Sequence, residues 1–468
     1  MIRLHNTLGN RIEEFKPIKD GEVSMYHCGP TVYDFVHIGN LRAFFTADII
    51  RRVFEYENYK VKQVMNITDI GVGGNNDEGE DKIIKGLKRE GKEISLDSMK
   101  ELTNFYTERF KEDITKLNIK TPDVLPRASE HIVEDIEMIK ILETKDLTYK
   151  TTDGIYFDIS KVENYGKLGG IGESEEATSR IGLNSEKRNS KDFALWKFNS
   201  NLGYPSPWGQ GFPGWHIECS AMSTKYLGNT FDIHTGGIDL APIHHNNEIV
   251  QSENACGGKF AHYWLHNGFV NMSDTKMAKS ENNFITLKTL EEKGFSPLAY
   301  RYFLLGSHYR TPTNFTWEGL QASQNAYKKL KEFTSPSLVA HESTPLLDKE
   351  RGWGEVSIEF KKEFKEAIEN DFNTPEALAV VWNLLKDSNV DVATKRFTLL
   401  DFDRVLGLRL DEPEKIIYIP DNVQALVDER EIARQNKDFS KSDELRKQIE
   451  DKGYTLKDTE NGPVLTSK

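Results

Sequence analysis

Cysteine is scarce in this chain: three in 468 residues, at Cys28, Cys219 and Cys256, too few for a disulfide framework. Long apolar runs are missing as well, and none approaches the ~18 residues that a membrane helix needs. The opening stretch MIRLHNTLGNRIEEF has neither the apolar segment nor the small-residue cleavage site of a secretory signal. These absences lead to the expectation of a cytoplasmic protein with no membrane partner. A basic excess is also lacking, with 61 Lys and Arg against 74 Asp and Glu and a net charge of −13. That balance speaks against an indiscriminate nucleic-acid binder. It leaves room for a local basic face, or for small anions held by backbone amides and a few lysines. There is no internal repeat and no long low-complexity tract.

What remains is an ordinary globular composition, 37% hydrophobic and 29% charged, long enough for about three domains of ~150 residues. Glu22 to Tyr26 reads as a short strand ended by Gly29-Pro30. From Asn40 to Tyr56 apolar residues recur at helical spacing, with Phe45, Ile49 and Phe54 on one side. KVKQVMNIT, Lys60 to Thr68, reads as a second strand. Strand, turn, helix, strand predicts a βαβ unit that opens a doubly wound parallel sheet, with ligands at the carboxyl ends where Cys28 and Thr68 fall. A glycine-rich acidic stretch after Thr68 reads as a surface loop, with a helix from about Asp81. Turn-rich short strands from about Leu117 to Ser200 read as an insertion between two halves of the sheet. Strand signals resume in TFDIHTGGIDL and FAHYWLHNGFV, and the chain is read as helical beyond Leu287. Breaks are expected at Ser335–Pro345 and Asp411–Pro420.

Two constellations carry chemistry. His244 and Glu248 stand four apart and share a helix face, so they can grip one ion or form a solvated pair. With Cys28 and Cys219 they make a plausible zinc set, although spacing alone does not choose between the two readings. Cys256 reads as structural, and His245, next to His244, is expected to point elsewhere. For the second constellation, His37-Ile-Gly39 at a strand-to-helix junction offers backbone N–H groups and a positive dipole end to a phosphate. Lys276 and Lys279, in NMSDTKMAKS, could neutralise charge on a leaving pyrophosphate. In the tail, Arg430, Arg434 and Lys437 fall at i, i+4, i+7 and read either as a basic stripe or as a salt-bridged face, given Asp428, Glu429 and Glu431 between them.

HIGN and KMAKS are similar to the HIGH and KMSKS signatures of class I aminoacyl-tRNA synthetases. CGPTVYDFVHIG, NITDI, SPWGQGFPGWHIECSAM, TGGIDL with HHNNE, NMSDTKMAKS, NDFNTPEAL and the tail from Val423 to Leu456 resemble the cysteinyl-tRNA synthetase family in that order, over nearly the whole chain. The resemblance implies an α/β fold: a Rossmann-type doubly wound parallel sheet split by an insertion, followed by mostly helical C-terminal domains. In those terms 1–116 and 201–286 form the catalytic halves and 117–200 the insertion; 287–334 is a stem-contact region, 335–410 a tRNA-binding helical bundle and 411–468 an anticodon-binding module. It implies zinc on Cys28, Cys219, His244 and Glu248, and an amino-acid pocket lined by Gly29, Thr68 and Trp215. Thr31, His37, Gly39 and Asn40 would meet ATP and its Mg²⁺, with Gly236, Gly237 and Asp239 near the adenosine. His37, Asn40, Lys276 and Lys279 would serve catalysis. The implied activity joins L-cysteine to tRNA(Cys) through an adenylate, in a monomer.

A zinc ion suits that substrate. A thiol with a pKa near ~8.5 ionises on the metal, whereas hydrophobic fit alone separates cysteine from serine by only ~1–3 kcal/mol. Three departures stand out: Asn40 replaces the second histidine of HIGH, Ala278 the serine of KMSKS, and Gly71–Glu80 interrupts a NITDIDDKII-like run. Competing readings are a cysteine-activating ligase acting on an amino-sugar, a zinc hydrolase and a non-catalytic tRNA-binding protein. The tail speaks against the first, and the two signatures against the other two.

Overall fold

The computed structural model describes residues 1–71, 81–169, 186–272, 275–276, 284–334, 356–412, 421–459 and 462–467. After a hairpin of β1 (Arg3–Asn6) and β2 (Arg11–Glu14), the expected βαβ unit follows as β3 (Glu22–His27), α1 (Ile38–Tyr56) and β4 (Lys60–Met65). β3 and β4 pair in parallel from Glu22↔Lys60 to His27↔Met65. Helix α1 starts two residues before the expected Asn40 because His37 caps it, its Nδ1 accepting the Asn40 N–H at 3.2 Å. Its inward face, with Phe45, Ile49 and Phe54, packs into the main core. Asp81 caps α2 (Lys82–Arg89), and α3 (Leu96–Lys116) completes the first half.

The insertion folds as α4 (Ile132–Thr144) against an antiparallel sheet, β5 (Thr148–Lys150), β6 (Gly154–Phe157), β7 (Phe193–Phe198) and β8 (Gly211–Pro213), in the order β5-β6-β7-β8. Its own core includes Phe157 stacked on Phe193 and the buried Trp196. The sheet thus draws on residues from both sides of position 200. Helix α5 (Trp215–Leu227) leads back to β9 (Phe231–Gly237). Gly214 sits at this junction because any Cβ there would collide with the Ala194 carbonyl. A π-helical turn (Ala241–His245), α6 (Asn246–Cys256) and β10 (Ala261–Asn267) follow.

The four-stranded sheet has the order β10-β9-β3-β4, parallel throughout. The chain runs outward from β3 to β4 and then returns to β3's other flank with β9. That reversal is the topological switch point, where open α/β sheets place their ligands.

Next come β11 (Val270–Met272), β12 (Thr275–Lys276), α7 (Leu287–Glu292), α8 (Pro297–Leu305), β13 (Thr313–Phe315) and α9 (Trp317–Thr334). The reading of a helical pattern beyond Leu287, broken at Ser335–Pro345 and Asp411–Pro420, misses β13, which pairs in parallel with β11. Three residues in a polar stretch carry too little alternation to register as a strand. α10 (Ile358–Glu369), α11 (Thr374–Lys386) and α12 (Val392–Leu406) form the helical unit, and α13 (Asp421–Gln435), α14 (Phe439–Asp451), β14 (Tyr454–Thr459) and β15 (Gly462–Ser467) a separate small module. The two expected breaks fall largely outside the described residues.

Buried charge ties the helical unit to α1. Asp48 accepts from Arg52 Nε at 2.8 Å, Arg301 at 2.7 Å and the Lys120 N–H at 2.9 Å. Arg301 spends its other donors on the carbonyls of Leu406, Leu117 and Asn118. Removing one partner of such a network strands the rest. Arg301→Met is therefore expected to cost about 3–5 kcal/mol, read as a clear fall in the urea midpoint; an unchanged midpoint would refute the assignment.

Candidate functional site

At the switch point Cys28 follows β3, and its N–H reaches the Thr235 carbonyl of β9 at 3.3 Å. Cys219 comes from α5, while His244 and Glu248 come from the π turn and the first turn of α6. Ligand atoms of Cys28, Cys219, His244 and Glu248 all lie within 4.8 Å of one another. Cys219, His244 and Glu248 are buried and Cys28 half-buried. His244 Nε2 stands 3.6 Å from Glu248 Oε1. Neither Glu248 oxygen makes a hydrogen bond among the described residues, although His234 Nε2 comes within 3.1 Å of Oε2. A fully buried carboxyl in this state is costly unless something else satisfies it.

The electrostatics suit a cation. Burial pushes His244 down to about 3, so its imidazole is neutral and free to ligate. Burial, then the hydrogen bond and charge of Cys219, then Glu248 hold the Cys28 thiol well above its ordinary range. Burial lifts Glu248 to about 7 against the pull of His244. Each acid would be drawn into its anionic form by a divalent ion. Two sulfurs, an imidazole and a carboxylate match zinc in donor type and number.

The expectation that His245 points elsewhere is corrected. Its Nε2 lies 3.4 Å from Cys28 Sγ, and a second set of Cys28, His234, His245 and Glu248 also falls within 4.8 Å. The cause is the π-helical turn, whose wider winding brings consecutive histidines into one cluster. Hydrogen bonds separate their roles. His245 is engaged at both nitrogens, by Cys28 and by His266 Nε2 at 2.7 Å. His244 is held at Nδ1 by His216 Nδ1 at 2.9 Å, which leaves Nε2 directed at the ligand set. The set with His244 is therefore the better metal site.

The sequence reading misses His216, His234 and His266, which floor this site. They sit in apolar strand or helix contexts, where a neutral core histidine and a functional one look alike. His234 stacks on Trp264 with centroids 4.4 Å apart, and burial lowers all three to about 3.

Beside the metal set lie the residues expected for an amino acid. The Trp215 ring centroid is 4.4 Å from that of His244, and Thr31 bridges Thr68 across the β3 and β4 ends. Gly29 donates to Asn66 Oδ1 at 2.8 Å, and a Cβ at position 29 would fall inside the Asn66 carbonyl, so only glycine fits there. On the nucleotide side, His37, Gly39 and Asn40 stand in the first turn of α1, with His37 and Gly39 half-buried and Asn40 exposed. Gly236 and Gly237 end β9, and Asp239 follows in a 3₁₀ turn. Lys276 is in β12, where it pairs with Asn271; Lys279 and Ala278 lie outside the described residues, as does most of the Gly71–Glu80 loop. Flanking segments nevertheless meet the start of α1. The Ile38 N–H donates to the Ile285 carbonyl at 2.8 Å, and His37 bridges Thr286. Arg42, one turn on, donates to the carbonyls of Phe269, His308 and Thr311 at 2.6–3.1 Å.

In the tail, the basic stripe gives way to the salt-bridged reading. Arg430 is 2% exposed and forks onto Asp458 with two 2.8 Å bonds, and Arg434 also pairs with Asp458. α13 ends at Gln435, so Lys437 lies beyond the helix, at a positive φ of 59°.

Comparisons with known proteins fit this architecture. The methionyl-tRNA synthetase of Mycobacterium tuberculosis, solved in complex with methionyl-adenylate, matches 83% of this chain and 90% of its own with a TM-score of 0.54 at 14% identity. A putative arginyl-tRNA synthetase from Campylobacter jejuni matches 86% and 95% with a TM-score of 0.51, also at 14% identity. So distant a likeness speaks of fold alone, and the fold is that of class I aminoacyl-tRNA synthetases. The family model for the class I (C) catalytic domain of tRNA synthetases covers residues 14–325, the DALR domain 363–410 and the cysteinyl-tRNA ligase anticodon-binding domain 418–462. Cysteine–tRNA ligase 1 of Burkholderia lata is 42% identical over 476 residues, 99% of this chain and 96% of the relative; the cysteine–tRNA ligase of Treponema denticola is 40% identical, over 98% of each. The chain belongs to the cysteine–tRNA ligase family.

The ligand set makes a sharp prediction about metal content. Cys219→Ser and Glu248→Gln are each expected to reduce bound zinc per chain severalfold by atomic absorption, while Cys256→Ser, outside the cluster, leaves it unchanged. Equal zinc in all three would refute the set.

Proposed function

We propose that the chain activates L-cysteine with ATP, releasing pyrophosphate, and passes the cysteinyl group from the adenylate to the 3′-terminal ribose of tRNA(Cys). The observation that carries this reading is the convergence of Cys28, Cys219, His244 and Glu248 at the switch point, directly beside Trp215. Zinc, held by those four residues, supplies a position for the substrate's sulfur and favours its thiolate form. Everything else falls to the chain's own groups. Gly29 permits close approach of the β3 and β4 ends, and Trp215 covers the histidine floor. The α-carboxylate then lies towards the first turn of α1, whose positive dipole end receives ATP's α-phosphate.

Thr31, His37, Gly39 and Asn40 line the phosphate side, and Gly236, Gly237 and Asp239 the adenosine side. Lys276 and Lys279, with Mg²⁺ on the triphosphate, offset the charge that develops on pyrophosphate. Asn40 donates a hydrogen bond where a histidine could also carry charge, so its contribution to that stabilisation is the smaller one. The family model at 418–462 supports tRNA over an amino-sugar as acceptor, since a small acceptor has no use for an anticodon module. Phosphate contacts in that module would come from groups other than Arg430, which is buried and forked onto Asp458. In this reading the two halves at 1–116 and 201–286 share the chemistry, the insertion at 117–200 and the region 287–334 flank it, and 335–410 and 411–468 grip the tRNA. No helix among the described residues is long and apolar enough to cross a membrane; a cytoplasmic monomer is the form proposed.

ATP–pyrophosphate exchange tests the reading. Exchange is expected with cysteine and not serine, lost on zinc removal and restored by zinc. Its absence with cysteine, in folded and zinc-loaded protein, would contradict the proposal.

A further inference from the structure

Asn66, Thr68 and Glu218 form a directed chain of hydrogen bonds at the pocket wall. Asn66 Nδ2 donates to Thr68 Oγ1 at 3.1 Å, and Thr68 Oγ1 donates to Glu218 Oε2 at 3.1 Å. The amide of Asn66 cannot be turned round, because its Oδ1 already accepts the Gly29 N–H at 2.8 Å. A hydroxyl has one proton and two lone pairs. Here the proton and one lone pair are committed to buried partners, which leaves Thr68 with a single accepting position.

The ground behind Thr68 is acidic and short of partners. Glu218 and Asp135 are fully buried. Glu218 Oε1 and both carboxyl oxygens of Asp135 have no hydrogen-bond partner among the described residues. Neither side chain makes an ion pair among those residues. Glu218 immediately precedes Cys219 on α5, and successive helical side chains leave the axis about 100° apart. One turn of α5 thus sends Cys219 to the metal set and Glu218 to Thr68.

We infer that Glu218 is a positioning residue that keeps Thr68 an acceptor only, so that the pocket selects a substrate carrying an N–H donor, the α-ammonium, beside its thiol. The inference rests on the reading that Thr68 lines the amino-acid pocket. A thiol acid without the amine, 3-mercaptopropanoate, would reach the same metal and leave the Thr68 lone pair unmatched. Sites built around a buried hydrogen bond reject ligands that lack the partner group. Glu218→Gln can turn an amide N–H towards Thr68; the hydroxyl proton then swings into the pocket and meets the ammonium donor to donor.

The test is calorimetric titration of the zinc-loaded full-length protein with L-cysteine and with 3-mercaptopropanoate. Wild type is expected to favour cysteine by at least about tenfold, the size of one charge-assisted hydrogen bond. Glu218→Gln and Thr68→Val should each shrink that ratio by about tenfold, through cysteine alone, with zinc content and 3-mercaptopropanoate affinity held within about twofold. Thr68→Ser, which keeps the hydroxyl, should retain the preference. An unchanged ratio in Glu218→Gln would overturn the inference, as would an equal loss of both ligands, which marks a structural role. Should Glu218→Gln fail to fold, an unchanged ratio in Thr68→Val overturns it instead. Wild type binding neither compound would overturn the proposed function, and this inference with it.

Discussion

A carboxyl group, two thiols and several imidazoles taken out of water with few hydrogen bonds among them form an arrangement that a folded chain does not keep without a compensating interaction. Glu248 is the sharpest instance. It is fully buried, both its oxygens lack hydrogen bonds among the described residues, and three imidazole nitrogens lie within 3.9 Å of it. A metal ion accounts for this cluster in one stroke, since it ionises the acids and satisfies the lone pairs together. The surrounding architecture is organised to present these groups to one point. β3 delivers Cys28, α5 delivers Cys219, and the π turn with α6 delivers His244 and Glu248.

The same point lies where the parallel sheet reverses its winding order, so in the proposed function amino acid and nucleotide would share one crevice. Helix α1 links the pocket to the rest of the molecule. Its first turn carries the positive end of the helix dipole, Arg42 holds the carbonyls beside β11 and β13, and Asp48 anchors Arg301 and thereby α8 and α12. The helical unit is fastened again through Asp371, which takes the Tyr309 hydroxyl, Arg310 and the His5 N–H. A shift of the helical region would therefore be felt at the nucleotide side through rigid, hydrogen-bonded joints rather than through a loop.

Much of this was legible from residue order. The βαβ unit is a local pattern of period and turn, so its order survives in the structure. The helix starts two residues earlier at the His37 cap, β3 runs one residue further to His27, and β4 ends at Met65 where the reading ran to Thr68. Cys28, Cys219, His244 and Glu248 stand out as candidates because thiols are rare in the chain and His and Glu stand four apart. Spacing left a solvated pair equally open, however, and it was the family resemblance that named the set, whose ligand atoms the structure brings together. What could not be read depended on geometry beyond sequence spacing. The π turn that brings His245 inward breaks the 3.6-residue period on which the reading relied. Strand β13 is three residues long and exists because β11 is there to pair with it. In the tail, spacing leaves Arg430 and Arg434 open between a basic stripe and a salt-bridged face, and it is Asp458, carried in on β14 from more than twenty residues away, that makes the salt bridges. Glu218 carries no sequence signal of its own: one carboxylate beside a cysteine looks the same whether it is solvated or buried.

Zinc K-edge X-ray absorption, before and after cysteine addition, tests the central claim most directly. The account predicts two sulfur ligands at about 2.3 Å in the zinc-loaded protein, from Cys28 and Cys219, rising to three when cysteine binds and staying at two with serine. A sulfur count that does not change on cysteine binding would contradict it.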